Sequence, residues 1–142
     1  MGQQTMIKLT CVFLICLAVS SVGVPINANS FGLEKYAWTN RLIILVTDKK
    51  SAGLKKQAEI FFEKHFCGVS DRNLKLLHFR SDKVAKTLLP KIIGSKTGMW
   101  LIGYDGLIKD FSEDKQLLDR LFQTIDTMPM RQNEIKTGPV CE

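Results

Sequence analysis

The feature that most constrains this chain is a run of five apolar residues, Leu42-Ile43-Ile44-Leu45-Val46, bounded by Arg41 and Thr47. The run does not alternate with polar residues, so a strand made from it presents apolar side chains to both faces of its sheet. Both faces must then be covered, which places the run at the centre of a layered α/β domain. Leu74 to Phe79 reads as a second strand. Met99-Trp100-Leu101-Ile102 and Leu107 to Phe111 read as two more, joined through Tyr104-Asp105-Gly106. The Asp-Gly pair is a hairpin signal, which makes those two strands antiparallel.

Helical spacing fills the intervals. Ser51 is placed to cap a helix carrying Leu54, Ala58, Phe61, Phe62, His65 and Phe66 at intervals of three and four, with Gly68 as its stop. A short helical stretch starts at Asp82, runs through Val84, Ala85, Leu88 and Leu89, and breaks at Pro90. Ser112 is placed to cap a last helix with Leu117, Leu118, Leu121, Phe122 and Ile125 on one face, ending before Pro129. The order βαβαββα implies a mixed sheet with helices on both faces. Trp38 and Trp100 are expected in the core.

The N-terminus has a different character. The run from Leu9 to Val19 is apolar, follows Lys8, and leads to small residues ahead of Pro25. It is shorter than the roughly 20 residues that span a bilayer, so it reads as a secretory signal peptide over residues 1–23. A linker follows at 24–33, then a domain at 34–134 and a tail at 135–142. Met6 stands where a myristoylation signal requires Ser or Thr, which discards lipidation. No asparagine heads a glycosylation sequon. The expected setting is therefore extracellular, with no membrane partner once the signal is gone.

The formal charge of +6 falls to +5 on losing Lys8. In that setting sulfated glycans and acidic matrix proteins are the available polyanions, and nucleic acid is a poor partner. Cys11 and Cys16 leave with the signal, so Cys67 and Cys141 remain. One disulfide between them is the expected use in an oxidising compartment; an intermolecular bridge and two free thiols are the alternatives. An intramolecular bridge would close about 75 residues and contribute about 4 kcal/mol in the chain-entropy model.

Three stretches carry a family resemblance: Tyr36-Ala37-Trp38-Thr39-Asn40-Arg41-Leu42, Leu101-Ile102-Gly103-Tyr104-Asp105-Gly106, and Phe122-Gln123-Thr124-Ile125-Asp126-Thr127-Met128-Pro129-Met130-Arg131-Gln132. In combination, over about Leu33 to Glu134, the chain resembles the DUDES, or DUF4174-type, peroxiredoxin-like domain. That domain is found in sushi-repeat-containing secreted proteins and in a large extracellular coiled-coil-domain matrix protein. The resemblance implies a thioredoxin-like fold, which agrees with the order read from pattern, and secreted or matrix-associated binding without an established activity.

A thioredoxin-like oxidoreductase needs a cysteine where the first strand gives way to the first helix, because the peptide dipoles there lower the thiol pKa. Here that stretch reads Thr47-Asp48-Lys49-Lys50-Ser51-Ala52, and Ser95 to Met99 lacks the proline such enzymes place before their third strand. No catalytic residue and no cofactor are therefore expected. A divergent thiol oxidoreductase using Cys67 or Cys141 is the alternative. His65, Cys67 and His78 match no zinc-ligand spacing.

Basic residues gather at Lys49, Lys50, Lys55 and Lys56 around the first helix start, and at Arg80, Lys83, Lys86, Lys91 and Lys96 around the second. They read as a glycan- or acidic-matrix-binding face, or more plainly as a solvated surface. In Met128-Pro129-Met130-Arg131-Gln132, Pro129 is expected to end a helix and the methionines to plug the sheet edge. On a functional reading Arg131 is a further anion contact, because a guanidinium binds carboxylate or sulfate through two donors.

Overall fold

The computed structural model describes residues 32–83 and 89–138. The expected signal peptide, almost all of the linker, residues 84–88 of the helix expected from Asp82 to Leu89, with Lys86, and Cys141 lie outside the described residues; Asp82 and Lys83 form a turn and Leu89 a bend instead of helix. A 3-10 turn at Glu34–Tyr36 precedes strand β1 (Arg41–Thr47). Helices α1 (Ala52–Lys64) and α2 (Phe66–Asp71) lead to β2 (Leu74–Arg80). Then come α3 (Lys91–Gly94), β3 (Gly98–Ile102), β4 (Ile108–Ser112), α4 (Gln116–Asp126) and α5 (Pro129–Lys136).

The strands form one mixed sheet in the order β2-β1-β3-β4. β1 runs parallel to β2, with Arg41 opposite Leu74. It runs antiparallel to β3, with Ile44 opposite Trp100, and β3 is antiparallel to β4. All seven residues of β1 are buried, as its unbroken apolar run requires. Ile43 and Leu45, with Met99 and Leu101, pack against α1, α2 and α4 through Leu54, Ala58, Val69, Leu117, Leu121 and Ile125. Leu42, Ile44 and Val46, with Trp100 and Ile102, pack on the other side against Ile93 of α3, Leu89 and the half-buried Tyr36. The alternation of Cβ direction along β1 thus feeds two cores, and helices lie on both faces of the sheet.

Several local expectations are corrected. Gly68 does not end a helix: α1 breaks at His65 and α2 carries straight through Gly68. A Cβ there would lie 2.9 Å from the Phe122 ring, so the glycine is needed for close approach of α2 to α4. The break turns Phe66 outward, to 66% exposure. The chain stops instead at Asn73, whose left-handed φ of 49° suits a helix-terminating asparagine. Ser51 and Ser112 do not cap their helices through side chains. At α4 it is Asp114 Oδ1 that accepts the Gln116 N–H, at 2.8 Å. Pro90 and Pro129 begin helices rather than only ending them: Pro90 precedes α3 and Pro129 opens α5. Trp100 is buried, but Trp38 is 68% exposed at φ 62°, contrary to its expected place in the core.

Candidate functional site

The parallel pair β1 and β2 directs its carboxyl ends to one side of the sheet, where crevices form in α/β proteins because the chain must turn away into its connections. Thr47, Asp48, Lys49, Ala52, Lys55, His78 and Arg80 line a hollow of about 380 Å³ there. Asp48 shapes its lip. The Asp48 carboxylate accepts the Lys50 N–H at 2.9 Å, the Ser51 N–H at 2.8 Å and the Ser51 hydroxyl at 2.7 Å. The Ser51 oxygen in turn accepts the Asp48 N–H at 2.8 Å. These bonds from Ser51 hold the Asp48 carboxyl below its ordinary pKa. The turn they build projects Lys49 and Lys50 into solvent, and neither forms an ion pair among the described residues.

Deeper in, Thr47 Oγ1 and His78 Nε2 share a hydrogen bond of 2.7 Å. Burial, and then the charge of Lys55, push the His78 pKa down, so the ring is neutral at pH 7. Lys55 pairs with Glu59, and Arg80 with Asp82, through side chains that remain more than 40% exposed. Such pairs are weak and exchangeable. The hollow therefore offers one ammonium group without an ion pair among the described residues, Lys49, and two cations in loose pairs, with Lys50 exposed beside it.

Of the remaining expected anion contacts, Lys56 and Lys83 are exposed, as are Lys91 and Lys96. Arg131 is different. It is 4% exposed and turned inward, so the expected outward anion contact is replaced by an internal one. Its Nη1 donates to the Asp71 carbonyl at 2.8 Å, its Nε to Asp126 at 3.2 Å, and its Nη2 to the Asp71 carboxylate. Arg72 holds the same Asp126 through two bonds of 2.9 and 2.6 Å. Glu134 bridges Arg131 to Arg41, which grips it with both terminal nitrogens at 3.1 Å. Burial works against the charge of Asp126 and Glu134, but their arginine partners outweigh it, and both carboxyls lie below their ordinary pKa values. One ionic chain thereby ties β1, α2, α4 and α5 together.

Cys67 is exposed near the start of α2, where the preceding sequence had suggested the far end of a helix. His65 is half-buried against Phe61 and Phe122. Among the described residues no group of three or more His, Cys, Asp or Glu is placed to hold a metal ion, and no helix is long and apolar enough to cross a membrane.

The opposite end of the sheet was not anticipated as a site. There Arg41, Gly103, Tyr104, Asp105, Lys109 and Met128 to Met130 surround a hollow of about 250 Å³. The signal was present in the sequence as three stretches, Tyr36 to Leu42, Leu101 to Gly106 and Phe122 to Gln132, but nothing local says that they meet.

Residues 85–134 match the model of a family described as a domain of unknown function, DUF4174. The match supports a domain of that type, and its described part takes in α3, β3, β4, α4 and most of α5. No curated protein and no solved structure matches the chain.

Proposed function

We propose that this chain is a secreted, redox-inactive, thioredoxin-like module that works by binding, with its basic hollow turned to sulfated glycans or acidic matrix proteins. The observation that carries the reading is the turn from β1 into α1. Where a thiol enzyme of that fold presents its nucleophile, Asp48 and Ser51 lock each other into a turn and Lys49 and Lys50 face outward. The order β2-β1-β3-β4, with β3 antiparallel to β1, supports the thioredoxin-like assignment. The apolar Leu9 to Val19 run and the family resemblance support secretion into a matrix setting. Clustered cations gain by neutralising sulfates and releasing counterions, an attraction that salt screens.

Chromatography on immobilised heparin tests this. The wild-type chain is expected to elute at clearly higher salt than a neutral control, and Lys49→Glu with Lys50→Glu to bind about tenfold more weakly, the loss of roughly one charged hydrogen bond. Elution of wild type with the control, or of the double variant with wild type, removes the reading. The same reading uses Cys67 structurally, bridged to Cys141. Intact mass with alkylation is expected to show two hydrogens fewer than the reduced chain and no added label; label on both thiols would return the thiol oxidoreductase to consideration.

A further inference from the structure

His78 lines the basic hollow at the carboxyl ends of β1 and β2, half-buried among Lys49, Lys55 and Arg80. It is one of two histidines in the chain; the other, His65, packs against Phe61 and Phe122 and does not line the hollow. Histidine is the side chain whose charge ordinarily turns over between about pH 5 and about pH 8, whereas lysine and arginine keep theirs throughout. The Asp48 carboxyl, held below its ordinary value by Ser51, stays ionised in that range. Among the described residues that line the hollow, His78 is therefore the group that changes the charge of the site.

The ring is built to exist in both states. Its Nε2 lies 2.7 Å from Thr47 Oγ1. A neutral ring accepts from that hydroxyl or donates to it, and a charged ring still donates to it, so the bond survives protonation. What opposes the charge is the surroundings. Burial acts most strongly against it, Lys55 of α1 comes next, and Arg80 on the same strand adds to them, while Glu59 of α1 acts the other way. From the β1–α1 turn, Lys49 and Asp48 face the same hollow, but the Asp48 carboxylate is already committed to the Lys50 and Ser51 N–H groups and the Ser51 hydroxyl. An anion seated against Lys55 and Arg80 offsets the very repulsions that keep the proton away. The anion then favours the proton and, by reciprocity, the proton favours the anion.

The ligand has to keep its own charge where His78 gains one. A carboxylate, with an ordinary pKa of about 4, begins to lose its charge at the acid end of this range, and a sulfate ester, the anion of a strong acid, does not. The cations also approach from different elements: Lys49 from the turn, Lys55 from α1 and Arg80 from β2. Donors spread in this way suit a tetrahedral oxyanion better than a planar carboxylate.

Resting on the reading of this hollow as an anion site, we propose that His78 makes the binding of sulfated glycans acid-strengthened: a proton on its ring and a sulfate ester in the hollow bind cooperatively. Affinity is flat while the ring is neutral in both free and bound chain. It climbs as pH falls through the midpoint of the bound form and levels off below that of the free form.

Calorimetric titration of the full chain with a heparin tetrasaccharide, at fixed ionic strength, is expected to show affinity rising about tenfold from about pH 8 to about pH 5, the linkage of a midpoint moved by about one unit. His65→Gln is expected to keep that rise, and His78→Gln to reduce the ratio of acid to neutral affinity below about twofold, whatever its affinity at neutral pH. The His78 ring resonance reads the same coupling in the wild-type chain: its midpoint is expected to move up by about one unit when the tetrasaccharide is added. An unmoved midpoint overturns the proposal, as does a rise in affinity that survives His78→Gln or vanishes in His65→Gln. An equal midpoint shift from an oligoaspartate assigns the hollow to acidic peptide, and an equal shift from the same concentration of inorganic sulfate assigns it to the free ion; either overturns the sulfated glycan as occupant. Heparin binding of equal strength at both pH values overturns the coupling and leaves the binding module standing, whereas absence of binding at every pH overturns both.

Discussion

Arg131→Met is expected to destabilise the protein by about 3–5 kcal/mol, the usual cost of removing one partner from a buried ion pair. The side chain of Arg131 is 5% exposed and that of Asp71 15% exposed, so solvent cannot replace the lost guanidinium. Asp126 keeps both its bonds from Arg72 and Asp71 keeps an Arg72 contact at 3.8 Å, but Asp71 loses a charged donor on its carboxylate and another on its carbonyl. Urea unfolding of wild type and variant measures the difference; a change below about 1 kcal/mol would show that the ionic chain is surface decoration.

The same network fixes the sign of an acid effect. Asp126 and Glu134 have folded pKa values below their ordinary 3.8 and 4.5. Their ionised forms therefore stabilise the fold fully above those values, and the contribution is lost as pH falls through the lowered folded values. The stability gap between wild type and Arg131→Met should accordingly be largest near neutral pH and narrow in acid below the ordinary carboxylate range.

Gly98→Ala is expected to be comparably damaging for a steric reason. Gly98 opens β3 at φ 138°, opposite Val46, in a region closed to L side chains. A Cβ there would lie 2.5 Å from the Ser112 carbonyl oxygen, 2.8 Å from the Phe111 ring and 3.0 Å from Glu113 Cα. Two of those three atoms are backbone and cannot swing away. Backbone strain of about 1–3 kcal/mol and overpacking of about 1–3 kcal/mol both apply. Gly53 supplies the contrast: within α1, with nothing inside 4 Å of an added Cβ, Gly53→Ala should stabilise by about 0.5–1 kcal/mol. Opposite shifts of the denaturation midpoint for the two alanines are the expected result; equal shifts would mean that β4 yields and the space at Gly98 is not fixed.

What the sequence by itself determined lies where the information is local. The unbroken apolar run at Leu42 to Val46 specified a strand with two buried faces, the Asp105-Gly106 pair specified a hairpin, and the three-and-four spacing of Leu117, Leu118, Leu121 and Ile125 specified the buried face of α4. Each depends on neighbours within a few residues, through backbone sterics and side-chain period. Tertiary structure decided the rest. It turned Arg131 inward because Asp71 and Asp126 converge on it from other helices, and it gave Gly68 to the Phe122 ring rather than to a helix stop. It also left Trp38 outside and closed a hollow from stretches as far apart in sequence as Arg41 and Met130. A side chain's hydrophobicity states what it would gain by burial; which charge, ring or backbone oxygen it meets depends on segments that only the folded chain brings together.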